Sequence, residues 1–183
     1  MLKEIFEQPQ SVTDTFRGRL LSPEEKISIS SLKRHFDKFS SANRIIFISC
    51  GTSWHSSLLG EYFFEELLRI PVEVEYASEF RYRNPVINKG DIVIPISQSG
   101  ETADTLAAIK MAKSKGAFLY GICNVVGSSI ARETHTGVYT HAGSEIGVAS
   151  TKAFSCQISL LLLMGLALGE KLGTIDNKRY NRV

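Results

Sequence analysis

The 183-residue sequence contains three cysteines, one tryptophan, four histidines and no apolar run longer than the nine residues from Leu160 to Leu168. Nine residues make about half a bilayer span, and these lie far from the N-terminus, so neither a membrane segment nor a signal peptide is expected. Cys50, Cys123 and Cys156 are odd in number, scattered and set in apolar stretches. That excludes a disulfide framework and fits free thiols in a reducing cytoplasm. Neither sign of charge dominates: 21 Lys and Arg against 19 Asp and Glu leave a net charge of +2, and no basic face offers itself to nucleic acid. His35, His135 and His141 have no partner at metal-ligand spacing. Both the Walker pattern and the Gly-x-Gly-x-x-Gly fingerprint are missing, so no nucleotide cofactor, and no cofactor of any kind, is expected.

What is present is a globular composition, 43% hydrophobic and 22% charged. A chain of this mass buries about 70% of its unfolded surface, enough for one core. The first forty residues read as helical. Leu2, Ile5 and Phe6 share a face before Pro9, and Leu32, His35, Phe36 and Phe39 form a second stripe. Between them, Gly18 to Lys26 is a polar connection containing Pro23.

From Arg44 the pattern alternates between strands and helices. Ile45 to Ile48 has no polar alternation, as in a strand buried on both faces. A helix from Trp54 to Arg69 follows, ended by Pro71, and then an alternating strand, Val72 to Tyr76, placed nearer a sheet edge. Asp91 to Ile96 is a third strand, although Pro95 argues against a central position and predicts a local irregularity. A helix ended by Gly116, a strand from Phe118 to Cys123, a short strand at Gly137 to Thr140 and an apolar helix from Gly147 to Lys171 complete the unit. The last helix reads as a core helix or an oligomer interface, and Asn177 to Val183 as a frayed or truncated tail. Strand–helix alternation implies one α/β domain, a flavodoxin-like three-layer fold with a five-stranded parallel sheet and helices on both faces.

Ligands of such sheets bind beyond the carboxyl ends of the strands. Two corners there carry unusual loops, Gly51-Thr52-Ser53 and Ser97-Gln98-Ser99-Gly100-Glu101-Thr102. Each leads into a helix whose first turn has unpaired N–H groups and a partial positive charge, an anion site. With no Lys or Arg in either loop, one monophosphate suits them better than a triphosphate, and the amide of Gln98 and hydroxyl of Thr52 suit a polyhydroxylated chain. That reading is a sugar phosphate. The alternative, that these hydroxyls only cap helices, stays open.

In Ala142 to Lys152, Glu145 and Lys152 read as an acid–base pair or, alternatively, as an ion pair or helix-start carboxylate. His55, at a helix start, is expected to be neutral. Ser78 to Arg83 reads as a surface turn or subunit contact, or else as part of the site rim, and Cys50 as a packing thiol.

Cys50 to Ser53, Ala77 to Arg83, Ser97 to Thr105 and Glu145 to Phe154 together resemble the sugar isomerase (SIS) family. Within it, they look like the first of two SIS domains in the isomerizing glutamine–fructose-6-phosphate aminotransferases. The resemblance implies fructose 6-phosphate or glucosamine 6-phosphate as ligand, with Ser97, Gln98, Ser99 and Thr102 around the phosphate. It also places Thr52 and Ser53 along the sugar and the Val148-Ala149 backbone near its other end. The family's glutaminase domain, second SIS domain and isomerisation acid–base residues have no counterpart here. The sequence therefore reads as an excised or truncated half with no catalytic residue of its own, which binds sugar phosphate weakly without turnover. It divides into a helical packing segment (1–40), the SIS domain (41–173) and a tail (174–183), and pairs as a homodimer or with a second SIS domain. The alternatives are a phosphosugar-binding regulatory module and a single-domain phosphosugar isomerase using Glu101, Glu145 or His55.

Overall fold

The computed structural model describes residues 1–20 and 27–180. The expected Pro23 connection and the last three residues of the tail fall outside them. Strands β1 (Arg44–Ser49), β2 (Val72–Tyr76), β3 (Asp91–Ser97), β4 (Phe118–Cys123) and β5 (Thr136–Tyr139) form one sheet in the order β2-β1-β3-β4-β5. Every neighbouring pair is parallel. The alternating strand β2 is at an edge, as expected.

Helices cover both faces. On one side α4 (Thr52–Leu68) and α8 (Lys152–Leu172) enclose Ile45, Phe47, Ile92, Ile94 and Ile122. On the other, α5 (Ala77–Phe80), α6 (Ala103–Ser114) and α7 (Ser129–Glu133) cover Ile46, Ile48, Val93 and Leu119. Alternate residues of each central strand serve opposite cores, which is why β1 and β3 are apolar throughout.

The central strand is β3, and Pro95 lies in it. Its ladder to β4 pairs residues 92, 93, 96 and 97 but skips Ile94 and Pro95, while Pro95 stays in register with Ile48 of β1. The missing N–H is thus absorbed on the β4 side, so the expected irregularity is present and the objection to a central position is corrected.

The N-terminal segment departs further from expectation. Helix α1 (Leu2–Phe16) runs through Pro9 instead of stopping there. Proline cannot donate to the Ile5 carbonyl, and the side-chain amide of Gln8 supplies that donor at 3.2 Å. The Leu2, Ile5 and Phe6 face points outward, Phe6 being 76% exposed, and α1 buries Glu4, Ser11 and Thr15. The second stripe is two short helices, α2 (Ser30–Arg34) and α3 (Phe36–Ser40), broken at His35.

Helix α8 starts at Lys152, not Gly147. The Glu145 carboxylate accepts from the Thr151 N–H and the Ser150 hydroxyl, both at 2.8 Å, and holds residues 145–151 as a loop. By length and composition α8 is apolar enough to cross a membrane, contrary to the nine-residue reading. Its apolar side chains are largely consumed against α4, α1 and the sheet: Leu160, Leu161 and Met164 are fully buried. It is the core helix of the two alternatives. A short helix, α9 (Asn177–Tyr180), occupies the first part of the tail expected to fray, and the Tyr180 hydroxyl accepts from the Ile27 N–H at 2.8 Å.

Candidate functional site

The order 2-1-3-4-5 places the switch in chain direction between β1 and β3, where two successive crossovers leave on opposite faces and a crevice opens beyond the strand ends. Ser49 of β1 is level with Ile96 of β3, so the corners that follow these residues face each other. A cleft of about 180 Å³ lies between them. It is lined by Thr52 and Ser53 from the first corner and by Ser97, Gln98, Ser99 and Thr102 from the second. Glu145, Gly147, Val148 and Ser150 close the third side, and Cys50 also reaches the wall. Of the eight positions singled out in the sequence, seven converge here. Ala149 is exposed and is not among the lining residues. A wider cleft of about 640 Å³ shares Gln98, Ser99 and Glu145 and extends past Asn124 and His141.

The hydroxyls do not act as helix caps. Helix α4 is preceded by Gly51 and α6 by Thr102, and neither end has a side-chain cap. Instead Ser97 Oγ accepts the Gly100 N–H at 2.9 Å and Ser99 Oγ accepts the Glu101 N–H at 3.2 Å. Both helix starts are left to offer their dipoles and first-turn N–H groups to the cleft.

Gly100 has φ +69°, and a Cβ there would meet the Ser128 hydroxyl at 2.0 Å. Only glycine fits: the corner is pressed against the loop before α7 by the Ile130 N–H donating to the Gly100 carbonyl at 2.9 Å. Glu101 turns away from the cleft and accepts from the Ser129 N–H at 2.8 Å, and hydrogen bonds from the Ser129 side chain and N–H hold its carboxyl below the usual range.

The third wall is held from a distance. Glu4 of α1 accepts the Ile146 N–H at 2.6 Å and the Gly147 N–H at 3.0 Å. Lys152, only 4% exposed, pairs with Glu7 at 2.7 Å and not with Glu145. Val148 belongs to this wall although it is fully exposed. No Lys or Arg lines this cleft among the described residues, and Glu145 is its sole ionisable carboxyl.

Three groups offered as bases are otherwise engaged or displaced. Glu101 caps α7, Glu145 caps α8, and His55 is exposed and stacks edge-on to Trp54 at 5.2 Å, outside the lining. Arg81 of the Ser78–Arg83 segment pairs with Asp104 at 2.7 Å, joining α5 to the first turn of α6. Cys50 approaches the Thr105 hydroxyl at 3.8 Å, whereas Cys123 is buried and its thiol is pushed up to about 11. Sequence reasoning missed the structural role of Glu4 and the amide of Gln157, which reaches Ser53 from α8. A lone amide inside the most apolar helix was the available signal for the latter.

The chain is 57% identical over 180 residues to the isomerizing glutamine–fructose-6-phosphate aminotransferase of Bacteroides thetaiotaomicron, covering 98% of this chain and 29% of that protein. It is 58% identical to the enzyme of the same name from Chlorobaculum tepidum, covering 93% and 28%. The chain thus spans less than a third of the curated relatives it matches. Among solved structures, the C-terminal domain of the glucosamine-fructose-6-phosphate aminotransferase from Francisella tularensis superposes with a TM-score of 0.92 at 38% identity, over 100% of this chain and 50% of that one. A glucosamine-6-phosphate deaminase from Thermotoga maritima shares the fold alone, with a TM-score of 0.75 at 22% identity over 99% and 51%. The SIS domain family matches residues 38–167. Because that match runs from α3 across the whole sheet into α8 and takes in all three walls of the cleft, the chain belongs to the SIS domain family.

Proposed function

We propose that this chain is the first sugar-phosphate-binding SIS unit of an isomerizing glutamine–fructose-6-phosphate aminotransferase. The parent reaction converts L-glutamine and D-fructose 6-phosphate into D-glucosamine 6-phosphate and L-glutamate, by imine formation and ketose-to-aldose proton transfer. The observation that carries the reading is the convergence of Thr52, Ser53, Ser97, Gln98, Ser99 and Thr102 on one cleft at two uncapped helix starts. Ser97, Gln98, Ser99 and Thr102 take the phosphate, Thr52 and Ser53 line the sugar, and the Val148-Ala149 backbone lies toward its far end. The unit binds without turnover, a view supported by the engagement of Glu101 and Glu145 elsewhere.

The proposal extends to organisation. Residues 1–40 act as a packing segment for the SIS domain at 41–173, with 174–183 as a tail. The outward face of α1 with the exposed Ile146 and Val148 is the surface that a second SIS unit, or a second copy of this chain, would cover. The three unpaired thiols suit a cytoplasmic setting.

The test is a calorimetric titration with fructose 6-phosphate, glucosamine 6-phosphate and inorganic phosphate. Hexose phosphates are expected to bind more tightly than phosphate and to raise the melting temperature. Absence of binding, or robust glucosamine 6-phosphate formation by this chain alone, overturns the reading. Light scattering with and without Phe6→Glu reports on the covered face.

A further inference from the structure

Helices α4 and α8 both begin at the cleft edge, and their seam is apolar where Leu161 packs over Gly60. One turn into α8 the seam becomes polar. Gln157, 2% exposed, donates through Nε2 to Ser53 Oγ at 2.9 Å, and its Oε1 accepts from Ser56 Oγ at 2.8 Å. Ser57 Oγ reaches the Ser53 carbonyl at 2.8 Å and Ser49 Oγ at 2.9 Å. Ser49, Ser56 and Ser57 are fully buried, so each of their groups requires a partner.

The direction of the protons follows from what each group can do. An amide nitrogen only donates and an amide oxygen only accepts, while a hydroxyl carries one proton. With Nε2 on Ser53, the acceptor side of that hydroxyl is occupied. Ser56 Oγ lies 2.8 Å from both Oε1 and the Ser53 carbonyl; its proton goes to Oε1, which has no other donor among the described residues, and the Ser53 carbonyl takes the Ser57 proton. With the Ser57 proton spent on that carbonyl, Ser49 gives its own to Ser57 Oγ, and the proton left over, without an acceptor among the described residues, is that of Ser53. Ser53 lines the cleft.

We infer that Gln157 is a positioning residue: by donating to Ser53 it fixes that hydroxyl as a hydrogen-bond donor toward the ligand. The inference rests on the proposed sugar-phosphate reading and deepens it. It makes Ser53 selective for a proton-free oxygen, either a phosphoryl oxygen or the carbonyl of an open-chain ketose, over a group that would itself have to donate. A buried donor held in one orientation discriminates more strongly than a freely rotating one.

The test is a double-mutant cycle on the affinity for fructose 6-phosphate at pH 8, with Ser53→Ala, Gln157→Glu and both together. An ionised carboxylate at 157 accepts from Ser53 and turns its proton inward. Each single change is therefore expected to weaken binding about 10- to 100-fold, the worth of one charge-assisted hydrogen bond. The double variant should be no weaker than the worse single. Protonating the introduced carboxyl restores a donor, so Gln157→Glu should regain affinity at pH 5.5 relative to the double variant. Should Gln157→Glu fail to fold, Ser56→Ala frees the amide to flip and is expected to weaken binding through the same route.

Inorganic phosphate distinguishes the two acceptor sources: parallel loss for phosphate and hexose phosphate assigns the phosphoryl oxygen, and loss for the hexose phosphate alone assigns the carbonyl end. Additive effects in the cycle, or an unchanged affinity of Gln157→Glu at pH 8, overturn the inference. If the unmodified chain binds no hexose phosphate, the functional reading itself fails, and this inference falls with it.

Discussion

Replacing Gly100 with alanine tests how the second corner is built. The residue has φ +69°, and its added Cβ would lie 2.0 Å from Ser128 Oγ and 2.4 Å from Ser128 Cβ. The left-handed conformation costs a non-glycine residue about 1–2 kcal/mol. Overpacking of a fixed neighbour adds about 1–3 kcal/mol. The neighbour is fixed, because Ser128 is buried at the start of α7 and the Ile130 N–H ties the two segments through the Gly100 carbonyl. The sum, about 2–5 kcal/mol, is a large share of the roughly 5–15 kcal/mol that holds a domain together. At about 2–4 °C per kcal/mol for a chain of this size, the melting temperature should fall by roughly 5–20 °C. The two contributions separate in the double variant Gly100→Ala/Ser128→Gly, which removes the clash and leaves the dihedral cost. Ser128 makes no side-chain cap, so Ser128→Gly alone should cost little. Melting followed by circular dichroism, with and without fructose 6-phosphate, reads all four proteins. A Gly100→Ala midpoint within about 1 °C of the parent, or a double variant that recovers nothing, refutes the close-approach argument.

Leu161 is fully buried and packs over Gly60, so Leu161→Ala should cost about 3–5 kcal/mol in urea unfolding, and a loss below about 1 kcal/mol would mean that the seam collapses around the cavity. The Glu4 carboxyl is held down to about 2 by the terminal ammonium and then by the Ile146 and Gly147 N–H groups, against an ordinary value of 4.5. A carboxyl depressed in the folded state stabilises above its unfolded pKa and loses that contribution as pH falls through the folded one. Melting temperature should therefore drop more steeply between pH 4.5 and 2 in the parent than in Glu4→Gln, and equal slopes refute the clamp. Alkylation of the native protein should modify Cys50 first, since it reaches the cleft wall while burial raises the thiols of Cys123 and Cys156. Fructose 6-phosphate should slow that reaction; equal rates at two cysteines, measured by peptide mass, count against it.

Much of the sheet was legible because its physics is local. Ile45 to Ile48 could only be a strand buried on both faces, and the alternation of Val72 to Tyr76 placed it at the edge it occupies. The two corners were legible for the same reason, as each is a contiguous stretch following a strand. What escaped depends on contacts between distant segments. Nothing near Leu2 or Phe6 signals that α1 turns its charged and hydroxyl residues inward, because the groups they satisfy are the Ile146 and Gly147 amides, Lys152 and the Ala142 and Thr140 carbonyls. The start of α8 lies five residues beyond the Gly147 to which the sequence pattern points, for a related reason. Gly147 to Thr151 continues the apolar pattern, but Glu145 captures the Thr151 N–H and ends the loop there.

The cleft has no lysine or arginine in its lining among the described residues, and the hydrogen-bond pattern that singles out Gln157 shows what stands in their place. Ser97 accepts from the Gly100 N–H, Ser99 from the Glu101 N–H and Ser53 from the Gln157 amide. Three hydroxyls thus have an acceptor position filled by a fixed N–H donor, and a hydroxyl polarised in this way is a better donor in turn. Two of those donors are backbone groups of the corner itself, which can be read from the motif. The third comes from a helix 104 residues away, and no local pattern announces it. An array of oriented O–H groups and helix starts accomplishes with neutral groups what a lysine or arginine would do with charge. It differs from a cationic site in that the attraction is short-ranged and directional, so it favours an oxygen of the right geometry over other anions that approach.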